Sequence, residues 1–443
     1  MKQVLVFLCL ALVLTAGRLS SETTVFYGYT DGTAGGVAAV AVDPADGSFG
    51  EHRSLFEVRA RQHPDKIRRS ADGSVLGVSL VGGDDAYALY DLGTDGPAKM
   101  IPLGFEPDEH RAFGDSFVLG GSKGHVVVIN GRTGEITARW NSRDSLRPAG
   151  HKVEDIQVWE EVGKAALSFQ KDSRSGKYLG SRLVWMDLPD LEEWVDVPLP
   201  RSRPDLHMEG TRKEKGPNPE VVRIEPEEDV LLLTLDLYGA LWIADLEASL
   251  EGDWRNTSMV PTAPDGSWGH TFPDRVGRFL FRGEPHYLVI NSGPDTGYGV
   301  FRLRDRSFVG FQEGEVAAAS PVYFPDAARI ATVVSGKVKA RGDGGLDKHF
   351  APEPILRIFR IDEWKGEGPL PETTVDLPGP AGRIIALAPD GGGTAAAVSS
   401  PVAVVAVDAD EASGHPASIL TVEVTTGEIL DSIEARGRVT RLE

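Results

Sequence analysis

The chain has 443 residues, a formal net charge of −20 and a single cysteine. An acidic chain repels a phosphate backbone, and the sequence has no basic stripe with interleaved aromatic residues, so composition argues against nucleic-acid binding. With 41% hydrophobic and 25% charged residues, the composition is that of a globular protein with a large core rather than of a disordered or membrane-spanning chain.

The N-terminal residues 1–20 have the pattern of an export signal. A basic second residue precedes an apolar run from Val4 to Leu14, and small residues follow where a signal peptidase would cut. The run is shorter than the roughly 20 residues that span a bilayer. Cleavage would remove Cys9, so the mature chain would have no disulfide and no thiolate chemistry. We therefore expect residues 21–443 to form one exported domain, periplasmic or extracellular, with no membrane span.

From Thr24 onward, short β-branched runs alternate with clusters of Gly, Pro, Asp and Asn, which is typical of an all-β protein. The runs fall into groups of four strands, and the clearest group contains Val75 to Val81 followed by Ala86 to Leu92. A period of about 40 to 60 residues built from strands alone predicts a β-propeller. The groups lie near 24–56, 65–102, 110–140, 151–199, 219–260, 272–312, 317–377 and 382–436.

These eight groups predict eight blades. Seven is the alternative, because the first strand of the group at 110–140 is short and lacks a Pro-Asp-Gly turn. The first group lacks an innermost strand, and the tail from Gly437 to Thr440 is expected to supply it. Such pairing of the chain ends would close the ring and remove exposed sheet edges.

Several turns and strand ends resemble those of known propellers. The opening group is similar to that of bacterial lactonase-type (six-phosphogluconolactonase-like) propellers, and two later groups resemble the broader WD40/YVTN-like superfamily. This resemblance implies a propeller and, as an activity, lactone hydrolysis. The sequence has Pro217-Asn218 where the lactonase-type pattern has a Pro-His pair. The segments that carry the resemblance are Val25–Thr30, Gly35–Val37, Val42–Gly47, Ser70–Gly73, Tyr90–Leu92 and Thr234–Gly239.

Residues that enter the innermost strands of a propeller lie at one mouth of its central channel. His63, His151 and Asn218 precede their second strands by twelve or thirteen residues, at equivalent corners of three blades. Imidazoles there could act as general bases or metal ligands; alternatively, they hydrogen-bond loop backbone or channel water. The full predicted set of ligand-binding residues at the mouth is His63, Arg68, His110, Arg111, His151, Glu154, Asn218, Glu220, His270 and Arg383.

The sequence leaves three functions open. The first is a binding or scaffolding protein that recognises a small molecule or a protein partner at the channel mouth. The second is a lactonase-like hydrolase, and the third is a non-catalytic subunit of a periplasmic redox complex. No catalytic residue, cofactor or metal ligand set is assigned. Gly120-Gly121-Ser122-Lys123-Gly124 fits a nucleophile elbow, but a strand follows it, so we predict a hairpin turn there.

Overall fold

The computed structural model describes most of the chain from Glu22 to the C-terminus. The predicted signal at residues 1–20 lies outside it. The described residues are 22–59, 61–83, 85–94, 96–146, 152–170, 182–199, 218–236, 239–262, 272–292, 297–314, 316–335, 339–340, 346–347, 352–387, 401–411 and 413–443.

The chain folds into eight four-stranded blades arranged in a ring, which confirms the all-β, eight-bladed propeller. Neighbouring strands within each blade are antiparallel. Blade 1 contains β1 (Thr23–Thr30), β2 (Gly35–Val42) and β3 (Phe49–Val58) together with the last strand, β35 (Arg438–Leu442). Blade 2 contains β4 (His63–Arg69), β5 (Val75–Val81), β6 (Ala86–Asp91) and β7 (Lys99–Pro102). Blade 3 contains β8 (Pro107–Phe113), β9 (Ser116–Gly121), β10 (His125–Asn130) and β11 (Ile136–Asn141).

The next three blades repeat the same order from the inside of the ring outward. Blade 4 contains β12 (Lys152–Trp159), β13 (Lys164–Gln170), β14 (Arg182–Asp187) and β15 (Trp194–Pro198). Blade 5 contains β16 (Asn218–Glu225), β17 (Val230–Asp236), β18 (Ala240–Asp245) and β19 (Thr257–Pro261). Blade 6 contains β20 (Phe272–Phe281), β21 (Glu284–Ser292), β22 (Gly297–Arg302) and β23 (Ser307–Glu313).

Blade 7 is irregular because its inner strand is split into two pieces that both pair with β26. The blade contains β24 (Val316–Ala317), β25 (Val322–Phe324), β26 (Arg329–Ser335), β29 (Pro352–Arg360) and β30 (Glu372–Asp376). A small hairpin of β27 (Lys339–Ala340) and β28 (Leu346–Asp347) is inserted between β26 and β29. Blade 8 contains β31 (Ala381–Ala386), β32 (Val402–Val407), β33 (Ser418–Glu423) and β34 (Ile429–Glu434).

The chain ends close the ring as the sequence predicts. Strand β35 pairs with β1, with Tyr27 opposite Leu442, and Phe26 and Glu443 exchange two backbone hydrogen bonds of 2.8 Å. The seven-blade alternative is wrong, because β8 is a full strand that pairs with β9. The segment Gly120–Gly124 comprises the last two residues of β9 and the β9–β10 connection, and the two strands pair as a hairpin, which confirms the predicted turn.

A separate cluster of buried apolar side chains fills each of the eight interfaces between neighbouring blades. Middle strands such as β5 are buried on both faces, which explains why they are continuous apolar runs rather than alternating ones. The cluster between blades 8 and 1 joins Val404 to Tyr27, so the ring is closed by packing as well as by strand pairing.

Helix is rare in the described residues. It consists of α1 (Ser142–Ser145), α2 (Leu246–Leu250) and single 3-10 turns at Glu160–Val162 and Pro226–Glu228. None of the described helices has the length and apolar character needed to cross a membrane.

Candidate functional site

The inner strands share one irregularity. In seven blades the pairing between the inner strand and the next strand shifts by one residue. The inner strand carries the extra residue. Such β-bulges turn side chains away from the regular alternation of a strand. In blades 2 to 6 the irregular stretch contains an acidic residue, namely Asp65, Asp108, Glu154, Glu220 and Asp274.

A cavity of about 660 Å³ occupies the centre of the ring, and all eight blades contribute to its wall. This volume is in the range of small-molecule sites. Its lining has two charged regions. The carboxylate arc comprises Asp65, Glu106, Asp108, Glu154 and Glu220, from blade 2 to blade 5. The arginine arc comprises Arg275, Arg383 and Arg441, from blades 6, 8 and 1.

Lys152 is the cation at the centre of the carboxylate arc. Its Nζ lies 3.2 Å from Asp108 Oδ1 and 3.5 Å from Glu154 Oε2. Burial, together with the negative charge of Glu220, raises the pKa of Glu154 to about 8. Burial also raises the pKa of Asp108 to about 6, against the attraction of Lys152. Lys152 therefore does not bring the pKa of Asp108 or of Glu154 back to its ordinary value.

A chain of ion pairs runs one residue further along the same strands. Lys66 Nζ lies 2.8 Å from Glu109 Oε1, and Arg111 Nη1 lies 3.0 Å from Glu109 Oε2. Asp155 then accepts from Arg111 at 2.7 Å and from Arg223 at 3.2 Å. Burial opposes ionisation of Glu109, but Lys66 and Arg111 outweigh it and lower the pKa of Glu109 to about 2. Blades 2 to 5 thus hold their inner strands together with paired charges.

The arginine arc differs from this chain of ion pairs. Arg383 donates from Nε to Thr440 O at 3.1 Å and from Nη1 to Gly382 O at 2.8 Å, both backbone carbonyls. Burial and the charge of Arg275 lower the pKa of Arg383. Burial and the charge of Arg68 lower the pKa of Arg441 to about 10. Within the part of the chain that the structure describes, no carboxylate lies within ion-pair distance of Arg383 or Arg441.

The structure brings five of the ten predicted site residues together in the cavity wall. They are Arg68, Arg111, Glu154, Glu220 and Arg383.

The other five predicted residues are not among the lining residues. His63 begins β4 without lining the cavity. His110 occupies the position where β4 has Ile67, and its buried ring packs against Tyr87 at 5.3 Å. Burial holds the pKa of His110 well below its usual value, so it is a neutral core residue. His151, His270 and the side chain of Asn218 lie outside the described residues.

Sequence reasoning did not assign several lining residues to the site, including Asp65, Asp108, Asp155 and Arg441. A signal for the acidic ones is present. A Pro-Asp or Pro-Glu pair opens four inner strands, as Pro64-Asp65, Pro107-Asp108, Pro219-Glu220 and Pro273-Asp274. Proline cannot donate a ladder hydrogen bond, and it is tolerated next to a bulge, so the repeated pair marks the position of the bulge in the sequence.

Comparison with known proteins supports the fold. A scan against protein-family models finds no match, and a search of curated proteins finds none either. Solved structures do match. A dihydro-heme d1 dehydrogenase, NirN in complex with DHE, is 10% identical with a TM-score of 0.65, over 95% of this chain and 74% of that one. Apo AztD from Citrobacter koseri is 14% identical with a TM-score of 0.54, over 95% and 97% of the two chains.

A third match is the C-terminal WD40 domain of Sif2, which is 11% identical with a TM-score of 0.53, over 87% of this chain and 90% of that one. At these identities the likeness concerns the propeller fold. The propeller fold is therefore supported, whereas a specific relationship to lactonases is not among these findings.

Proposed function

We propose that this protein binds a small ligand with an anionic group in its central channel, and that Arg383 and Arg441 hold that group. The observation that carries the proposal is the contrast in charge pairing. Arg68 has a carboxylate partner, Glu443 Oε2, at 2.6 Å, whereas Arg383 and Arg441 have none among the described residues. Leaving half-buried positive charge without a counterion costs free energy, and an anionic ligand would recover it.

The composition of the cavity supports an anion as well. The whole chain has a net charge of −20, yet its cavity lining has eight Lys and Arg residues and seven Asp and Glu residues. Since the pKa of Glu154 is raised to about 8, this carboxyl group is mostly neutral at pH 7, and the lining is more positive than this count suggests. Guanidinium groups also match carboxylate and phosphate oxygens geometrically.

Isothermal titration calorimetry on the full chain tests the proposal, with acetate, succinate, inorganic phosphate and gamma-aminobutyrate as probes. We expect saturable binding of at least one probe. The substitutions Arg383→Gln and Arg441→Gln should each weaken it about tenfold, because each removes a charged hydrogen bond. Arg132→Gln, on the exposed face of blade 3, is the matched control and should leave binding unchanged. Absence of binding by all four probes, or binding insensitive to both variants, would overturn the proposal.

A hydrolase is the second candidate, and the observation in its favour is the raised pKa of Asp108. A carboxylate with a pKa of about 6, next to Lys152 in a cleft, is suited to general-base activation of water. A panel of lactones and esters tests this activity. Turnover that is lost in Asp108→Asn, with the fold retained by circular dichroism, would favour the hydrolase, and no turnover on the panel would remove its support. The redox-subunit and protein-scaffold hypotheses stay predictions.

We also propose that the protein is exported, on the sequence pattern of residues 1–20. N-terminal sequencing of the protein isolated from its host is the test. A start close to residue 21 would support export, and a start at Met1 would contradict it.

A further inference from the structure

The two charged arcs face each other across the cavity. In a closed ring of eight blades, blade 4 stands opposite blade 8 and blade 5 stands opposite blade 1. Glu154 of blade 4 is therefore across the channel from Arg383, and Glu220 of blade 5 is across from Arg441. The cavity is bipolar.

One carboxylate oxygen of the carboxylate arc is left without a hydrogen bond. Among the described residues, Lys152 pairs with Oδ1 of Asp108 and with Glu154. The Oδ2 atom of Asp108 is buried and has no hydrogen-bond partner in the described part of the chain. A second cationic group that donates hydrogen bonds would satisfy this oxygen.

The geometry favours an ammonium group over a metal ion as this second cation. Among the described residues, no group of three or more His, Cys, Asp or Glu side chains is arranged to hold a metal. An ammonium group needs only a few acceptors at hydrogen-bond distance, and it does not require a fixed coordination geometry.

One part of the cavity wall is apolar, and it lies within the arginine arc, between Arg275 of blade 6 and Arg383 of blade 8. Blade 7 contributes Ala318, Ala319, Pro321 and Val322 where its inner strand is split, and blade 8 adds Ile384. A hydrocarbon chain that connects two charged ends would lie against this wall without burying an unsatisfied polar group.

We infer that the ligand is a small zwitterion of the amino-carboxylate class, whose carboxylate binds the arginine arc and whose ammonium group binds the carboxylate arc across the channel. This inference rests on the proposed function. It adds a second recognition element, supplied by Asp108, Glu154 and Glu220, that a simple anion does not use.

A series of unbranched amino acids tests the inference by calorimetry. The probes are glycine, beta-alanine, gamma-aminobutyrate and epsilon-aminocaproate, and each is compared with the dicarboxylate and the diamine of equal chain length. We expect one member to bind at least about tenfold more tightly than both of its matched partners, which corresponds to about 1.4 kcal/mol. That preference should fall in Glu154→Gln and in Glu220→Gln, and it should persist in Glu160→Gln, an exposed control in the same blade as Glu154.

The outcomes separate this inference from the function on which it rests. If dicarboxylates bind as tightly as amino acids and their binding depends on Arg383, the zwitterion is wrong and the anion-binding proposal stands. If neither class binds, both fail.

Proton release provides a second readout. Because the pKa of Glu154 is raised to about 8, this carboxyl group is mostly protonated at pH 7 when the cavity is empty. An ammonium group placed beside it would lower that pKa, and a proton would pass to the buffer. The apparent binding enthalpy at pH 7 should therefore vary with the ionisation enthalpy of the buffer, and Glu154→Gln should reduce this variation. An enthalpy that is the same in all buffers would contradict an ammonium group at the carboxylate arc.

Discussion

The inner strands differ in how their charged side chains are paired. The two sets compared are those of blades 2 to 5 and those of blades 6, 8 and 1. In the first half, Arg111 and Arg223 share Asp155 as a partner. In the second half, Arg383 and Arg441 occupy the position of Lys66, with no carboxylate at ion-pair distance among the described residues. Burial lowers the pKa of Arg441 to about 10, but Glu443 and Glu109 outweigh burial at Arg68 and raise its pKa. The paired charges hold neighbouring inner strands together, whereas Arg383 and Arg441 are the residues that we propose to bind the ligand.

The largest expected effect is the loss of Asp155. This carboxylate accepts from two arginines and also from the backbone N–H of Val222 at 3.0 Å. Asp155→Ala should lower the free energy of unfolding by about 3–5 kcal/mol, because it removes the carboxylate partner of Arg223, one of the two carboxylate partners of Arg111, and the acceptor of the Val222 N–H. Urea denaturation followed by tryptophan fluorescence measures it. Asp155→Asn keeps an acceptor and should cost less; equal losses would mean that charge pairing contributes little.

Removal of an arginine from the other half should have little effect on stability. Arg441→Met replaces a half-buried cation by an apolar side chain, so the free energy of unfolding should stay within about 1 kcal/mol of the wild-type value or rise. Ligand binding should weaken at least about tenfold in the same variant. A loss of stability as large as that of Asp155→Ala would show that the two halves do not differ in the way proposed here.

Stability should depend on pH through Glu154. Its pKa is raised from 4.5 to about 8, so between these pH values the folded state binds more protons than the unfolded state. The free energy of unfolding should therefore fall as pH rises through this window, by at most about 1.4 kcal/mol per pH unit. Urea denaturation from pH 5 to pH 8 measures the slope. Glu154→Gln should flatten it, and an unchanged slope would assign the effect to another group.

The smallest effect is expected at Arg132, which pairs with Asp72 at 2.7 Å and with Asp115 at 3.0 Å on the exposed face of the protein. Solvent screens these pairs, so Arg132→Ala should cost about 0–1 kcal/mol in the same denaturation experiment. This variant gives the cost of losing exposed ion pairs, against which the loss of the channel ion pairs is compared. A cost close to that of Asp155→Ala would mean that burial is not what distinguishes the channel ion pairs.

Much of the fold was predictable, because each blade repeats a local pattern. β-branched runs separated by turn residues predict the strands, and their period predicts the blades. The closure of the ring by the C-terminal strand was also predictable. The repeat shows that the first group lacks an inner strand, which the tail supplies. The first strand of blade 3 was misleading because its pattern is short and no Pro-Asp-Gly turn follows it, although β8 pairs fully with β9.

The site was predictable only in part. Charged residues near the start of inner strands could be recognised, and Arg68, Arg111 and Arg383 do line the cavity. The sequence could not show whether the histidines face the channel or the core. Adjacent side chains of a strand point to opposite faces, and a bulge shifts this alternation by one residue. After the bulge at Asp108, His110 points into the core with Phe117 and Tyr87.

The sequence by itself determined the strands, their grouping and the acidic and basic residues that begin the inner strands. The tertiary structure alone decided which of these residues share a wall and which face each other. Glu154 and Arg383 are 229 positions apart in the chain, and they stand on opposite sides of the cavity because the ring closes with eight blades. In a ring with an odd number of blades each blade faces a gap between two others, so this opposition of charge exists only in the closed ring.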